Sequence, residues 1–192
     1  LTPDVLELSE EDVLSRICDL LDRKLFESSV AQSVMAIAAT ANGLEASVAA
    51  LLGVFQRFVG YDLAAVMLGA EQRAYVAVGA PTARSHYGEF LRAAVDNLAS
   101  HGGGSLDAAS VDVRVAEAGG SLVDDPDELT GGVDMATFLS MPLRGHGGAV
   151  VGVLALSSAV KQAFGETALS TLKLIEGPAA IVIDNARLSA VS

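Results

Sequence analysis

The chain has 192 residues, 51% of them hydrophobic and 5% aromatic, with 24 acidic side chains against 12 basic ones and a formal charge of -12. That length is enough for one domain with a real core, and the apolar content excludes a disordered chain. The negative field repels phosphate backbones and anionic lipid surfaces, which excludes nucleic acid as the expected partner.

Ser9 followed by Glu10, Glu11 and Asp12 reads as a helix start, a hydroxyl cap with acids at the positive end of the dipole. Leu14, Cys18, Leu21 and Leu25 then recur at helical spacing and make a seam on one face. A second amphipathic stretch carries Val30, Val34, Ile37 and Ala41, with Asn42-Gly43 expected as its C-cap. A third runs from Leu44 to Val59 through Val48, Leu51, Leu52, Phe55 and Phe58, and Gly60 stops it.

After Gly60 the period changes. "YDLAAVML" (61–68) and "RAYVAV" (73–78), separated by "GAEQ", predict an antiparallel hairpin. Helix returns over 85–100, where Tyr87, Phe90, Leu91, Ala94, Val95 and Leu98 share a face and His101-Gly102 ends the pattern. "VDVRVA" (111–116) alternates like a half-buried strand, and "GGSLVDDPDELTGG" reads as an acidic loop. "TFLSMPL" and "VVGVLALS" follow as strands around a glycine-rich tip holding His146. A helix from about Glu166 to Leu188 closes the chain, with Pro178 expected to kink or break it near Glu176-Gly177. Hairpins rather than crossovers predict an α+β domain on an antiparallel sheet.

One cysteine, Cys18, excludes an internal disulfide and a multi-cysteine zinc site, and points to a cytoplasmic location. Neither a signal peptide nor an unbroken apolar run long enough to span a bilayer is present, so no direct membrane insertion is expected. The first residue is Leu, so the sequence reads as a piece of a longer chain.

Catalytic signatures are missing. "HGGGS" (101–105) resembles an oxyanion-hole strip, but no G-x-S-x-G accompanies it, and no phosphate-cradling glycine loop exists. "DDPDE" (124–128) lacks the ligand spacing of a calcium loop. His86, His101 and His146 stand apart from one another and from helical ligand spacing, and no Ser, His and acid set can be nominated. The expectation is a protein that is not an enzyme, with no catalytic residue, no metal ligand and no nameable cofactor.

The segment from Met141 to Leu188 resembles the end of a GAF domain: a strand finishing in Pro-Leu, a glycine turn, G-V-L-A-L, Phe164 before a helix, and N-A-R-L closing that helix. The helix Leu44 to Val59 and the two strands after it fit the family's first elements more loosely. The resemblance implies a profilin-like central antiparallel sheet of about six strands, with the terminal helices on one face. A shorter helix and loops would cover a small-molecule pocket on the other. It also implies a bacterial signalling sensor that relays through its terminal helices to a histidine kinase or cyclic-di-nucleotide turnover domain. Residues 1–27 would be a linker and dimerisation helix, 28–188 the GAF-like domain, and 189–192 the start of a linker to the output domain. A homodimer would form through the seam Leu14, Cys18, Leu21, Leu25 and the stripe Leu172, Ile175, Ala179, Val182, Ala186, unless both stripes pack on their own sheet.

Departures from the family pattern narrow the ligand. Ser158 and Ala159 stand where cyclic-nucleotide binders carry Asn-Lys, and Ala168 and Leu169 replace Asp-Glu. Cys18 lies far upstream of where a bilin is attached, and a lone cysteine does not suit methionine sulfoxide reduction. If Ala74, Val76 and Val78 pack on the terminal helices, Tyr75 faces the pocket. Arg114, Phe138 and Ser140 follow by the same alternation, and Phe90 would close the site from its helix. The same five residues can be ordinary core or surface, and a ligand-free dimerisation scaffold is the alternative function.

Overall fold

In a computed structural model that describes residues 9–124 and 137–191, helix α1 (Glu10–Thr40) starts at Ser9. The Ser9 hydroxyl accepts from the Asp12 backbone N–H, and the Asp12 carboxylate accepts from the Ser9 backbone, a reciprocal cap. The two amphipathic stretches expected before residue 41 form this single helix. Between Leu25 and Val30 the sequence moves its apolar residues to another face but offers no glycine or proline to break the helix. Asn42-Gly43 is not a C-cap of the expected kind: Ala41 is extended, and Gly43, at φ 90°, opens α2 (Leu44–Phe58) instead.

Strands β1 (Leu63–Leu68) and β2 (Arg73–Val78) form the expected hairpin, with Leu63 opposite Val78 and Leu68 opposite Arg73. Short β3 (Thr82–Ala83) leads into α3 (Arg84–Ser100), and β4 (Asp112–Glu117) follows. Then come β5 (Leu122–Val123), β6 (Thr137–Arg144), β7 (Val150–Ser158) and α4 (Glu166–Val191). The main sheet has the order β4-β2-β1-β7-β6, and β3 pairs with β5 in a separate two-stranded ladder.

The fold is mixed α+β as expected, with two differences of detail. Among the described residues the sheet has five strands, against about six expected, and β4 runs parallel to β2. That pairing follows from α3, which carries the chain back to the start of β2 before β4 begins, whereas the β1–β2, β1–β7 and β6–β7 pairs are antiparallel. β4 is an edge strand with Val115 exposed, so the half-buried pattern read from its alternation is drier than the real strand. Part of the expected acidic loop is β5, and 125–136, including most of "DDPDE", lies outside the described residues.

Both faces of the inner strands are covered. Ala64, Val66, Leu68, Tyr75, Ala77, Leu154 and Leu156 join Val30, Val34 and Ile37 of α1, Leu51 and Phe55 of α2, and Leu172, Ile175 and Ile183 of α4 in one core. Leu63, Ala65, Met67, Ala74, Val76, Val153 and Ala155 meet Phe90, Ala94 and Leu98 of α3 in a second. Buried Tyr61 donates its hydroxyl to the Leu52 carbonyl at 2.8 Å, and burial raises its pKa well above the ordinary tyrosine range.

Helix α4 is continuous through Pro178. Apolar residues on both sides of it, Leu172 and Ile175 before and Ala179 and Ile183 after, are buried in the same core, which holds the turn that lacks a hydrogen bond. Near its end the guanidinium of Arg187, from the N-A-R-L run, grips the Glu71 carboxylate with Nε and Nη2, and Nη2 also donates to the Val151 carbonyl at 2.9 Å. This bond set ties α4 to the β1–β2 turn and to β7. The hydrogen bonds to Glu71, opposed by partial burial, hold the Arg187 pKa above its ordinary value.

Candidate functional site

Alternation of side chains along β2 decides which residues meet α3. Ala74, Val76 and Val78 face α3, and Tyr75 and Ala77 face the terminal helices. This reverses the expected assignment, because alternation separates the two faces of a strand without saying which layer covers each. Tyr75 is therefore buried in the core of α1, α2 and α4, where its hydroxyl lies 3.3 Å from Arg73 Nη1. Arg114, in register with Tyr75, is exposed on the edge strand and its Nε sits 3.4 Å from the Asp112 carboxylate. Neither residue reaches the α3 side.

Phe90, Phe138 and Ser140 do come together there. The Phe90 and Phe138 rings meet edge to face with centroids 6.0 Å apart, joining α3 to β6. Nearby, Ser140 Oγ lies 3.0 Å from Asn97 Oδ1 and 3.1 Å from His101 Nε2. The amide of Asn97 is oriented by its Nδ2, which donates to the Ala93 carbonyl at 2.8 Å and so turns Oδ1 toward Ser140. Ser140 donates to Asn97 Oδ1, and its hydroxyl lies within hydrogen-bond reach of His101 Nε2. The three side chains form a polar latch between the end of α3 and β6.

Asn97 and His101 escaped the sequence reading. The available signal was a polar residue one helical turn after Ala94, on the side of α3 otherwise given to Phe90, Ala94 and Leu98. His101 looked like the helix end that it is, since its partner Ser140 lies 39 residues away. At the other end of α3, burial raises the Tyr87 pKa against the lowering effect of Arg84, and His86 Nδ1 is buried without a partner among the described residues.

The strip "HGGGS" serves packing. A Cβ on Gly69 would lie 2.1 Å from the Gly103 carbonyl oxygen, and one on Gly103 would lie 2.5 Å from Leu98 Cδ1. The loop thus lets the α3 exit press on the β1–β2 turn, and Gln72 Nε2 closes the contact by donating to the Gly69 and Ser105 carbonyls. His146 is exposed at the β6–β7 tip.

A cleft of about 380 Å³ lies elsewhere, between α1 and the start of α4, lined by Arg23, Phe26, Glu166, Ser170 and Leu174 among others. Its neighbouring polar groups are engaged close by: Thr171 donates to the Thr167 carbonyl, and Arg23 pairs with Glu27 at 3.3 Å. No group of three or more metal-ligating side chains is present among the described residues, and none of the described helices is long and apolar enough to cross a membrane.

A family model described as "GAF domain" matches residues 7–184. The crystal structure of the GAF domain from Acinetobacter phosphoenolpyruvate-protein phosphotransferase superposes with a TM-score of 0.48 at 13% identity, covering 87% of this chain and 98% of that one. A comparison with curated proteins finds no match.

Proposed function

The chain belongs to the GAF domain family, whose members are regulatory sensor domains, and we propose that it binds a small molecule on the α3 side of its sheet and relays that event through its terminal helices. The output domain in this reading is of the histidine kinase or cyclic-di-nucleotide turnover type, in a bacterial cytoplasmic signalling protein, and the working unit is a homodimer. The chain acts without catalysis. The ligand contacts are Phe90, Phe138 and Ser140, with Asn97 and His101 added by geometry.

One observation carries the relay. Helix α1 has Val30, Val34 and Ile37 inside the core beneath the sheet, and the same uninterrupted helix continues outward through residues 10–26, which are exposed throughout. A displacement of the sheet under its ligand face is passed to the outer half by a rigid rod, because a packed interior transmits strain rather than absorbing it.

Native mass spectrometry of the purified chain tests the reading. A reproducible non-protein mass is expected, and Phe138→Ala with Ser140→Ala should lower its occupancy severalfold without unfolding the protein. A chain that arrives empty from cell extract and stays empty with small-molecule extracts added supports the ligand-free scaffold instead.

A further inference from the structure

The outer half of α1 is an amphipathic helix whose large apolar side chains lie exposed. Val13, Leu14, Ile17, Leu20 and Leu21 are all exposed, from 42% to 61%. Successive residues turn by about 100°, so Glu10, Leu14, Ile17, Leu21 and Lys24 line one ridge, flanked by Val13 and Leu20. By the same rotation Val30, Val34 and Ile37, which enter the core, point to the opposite side of the helix. The ridge therefore faces away from its own domain.

The ridge has a direction. It begins with an acid, Glu10, holds apolar residues in the middle, and ends with a base, Lys24. Two such ridges side by side in parallel would set Glu10 against Glu10 and Lys24 against Lys24. Turned antiparallel, they set each acid against a base and also oppose the helix dipoles favourably. We infer that the outer half of α1 pairs antiparallel with the same segment of a second copy of this chain, centred on Ile17, with Glu10 facing Lys24 of the other copy.

That register matches Leu14 with Leu20 and Leu21 with Val13, and Ile17 meets its own copy at the two-fold axis. Lys24 contacts Glu27 of its own helix at 3.3 Å, an exposed pair that exchanges partners at little cost. The inference rests on the homodimer proposed above and adds its orientation. The two sensor bodies would stand at opposite ends of a shared helical grip.

Light-scattering mass and cysteine cross-linking on the whole chain, with Cys18→Ser as background, test it. A dimer mass is expected. Glu10→Cys alone should not form a disulfide, since antiparallel pairing separates the two copies of position 10 by about 21 Å. An equal mixture of Glu10→Cys and Lys24→Cys chains should cross-link. Glu10→Lys should weaken the dimer on the order of tenfold, and Glu10→Lys with Lys24→Glu should restore it. A monomer mass overturns the homodimer reading itself. A dimer in which Glu10→Cys cross-links to itself, or in which Glu10→Lys changes nothing, keeps the homodimer and overturns the antiparallel grip.

Discussion

Two apolar stripes on the terminal helices have nearly the same spacing and opposite fates. On α4, Leu172, Ile175, Ala179, Val182 and Ala186 are buried in the core beneath the sheet. On α1, Leu14, Leu21 and Leu25 are 61%, 56% and 68% exposed, and Cys18 is exposed with them. The difference lies in what each helix reaches. Helix α4 follows β7 and lies across the sheet along with α1 and α2, whereas α1 joins that layer through its inner half, from Phe26, whose ring meets Phe58 of α2 edge to face, onward. Heptad-like spacing therefore marks a surface to be covered without saying by what. Of the two stripes available for pairing subunits, the α4 stripe is already occupied by its own domain.

The largest way to break this contrast is Ile175→Ala. The side chain is fully buried, so its loss removes apolar contacts and leaves a cavity, with an expected cost of about 2–5 kcal/mol in urea unfolding. A cost under about 1 kcal/mol would mean that the α4 stripe is not core.

A smaller effect sharpens how α4 is docked. Arg187 and Glu71 each retain 22% of their side-chain exposure, and the guanidinium also satisfies the Val151 carbonyl. Arg187→Met keeps the alkyl length and strands both acceptors, which should cost about 1–3 kcal/mol. Arg187→Lys should recover only part of it, since an ammonium cannot span both carboxylate oxygens. Full recovery by lysine in the same unfolding measurement would show that charge alone, and not the forked geometry, holds the helix end.

Much of the fold was legible because it depends on local pattern. The Ser9 cap, the β1–β2 hairpin, the α3 face and the uninterrupted apolar run of β7 were each visible within a few residues of sequence. What could not be read depends on contacts between distant segments. Tyr75 alternates with Val76 whichever layer covers it, so its assignment to the α3 side had no physical basis until the helices were placed. The parallel β2–β4 pair and the ladder of β3 with β5 are likewise long-range, formed by segments of only two residues in the second case. At the candidate site, Phe90, Phe138 and Ser140 were reached by periodicity. Asn97 and His101 were not: Asn97 showed only as a polar residue on the apolar side of α3, and their partner Ser140 lies 43 and 39 residues away.

The smallest expected effect is the most diagnostic of the α1 stripe. In dilute solution, Leu21→Ala should change the unfolding free energy by no more than about 0.5 kcal/mol, because an exposed leucine gives up little burial and alanine is at least as good a helix former. The concentration dependence should respond instead. A chain that pairs through this face gains stability with concentration by mass action, so the melting temperature of the parent protein should rise with protein concentration. In Leu14→Ala with Leu21→Ala that rise should flatten, with the dilute melting temperature nearly unmoved. Were the double variant to lose several kcal/mol when dilute, the stripe would be packed on its own domain after all, and the contrast with α4 would vanish.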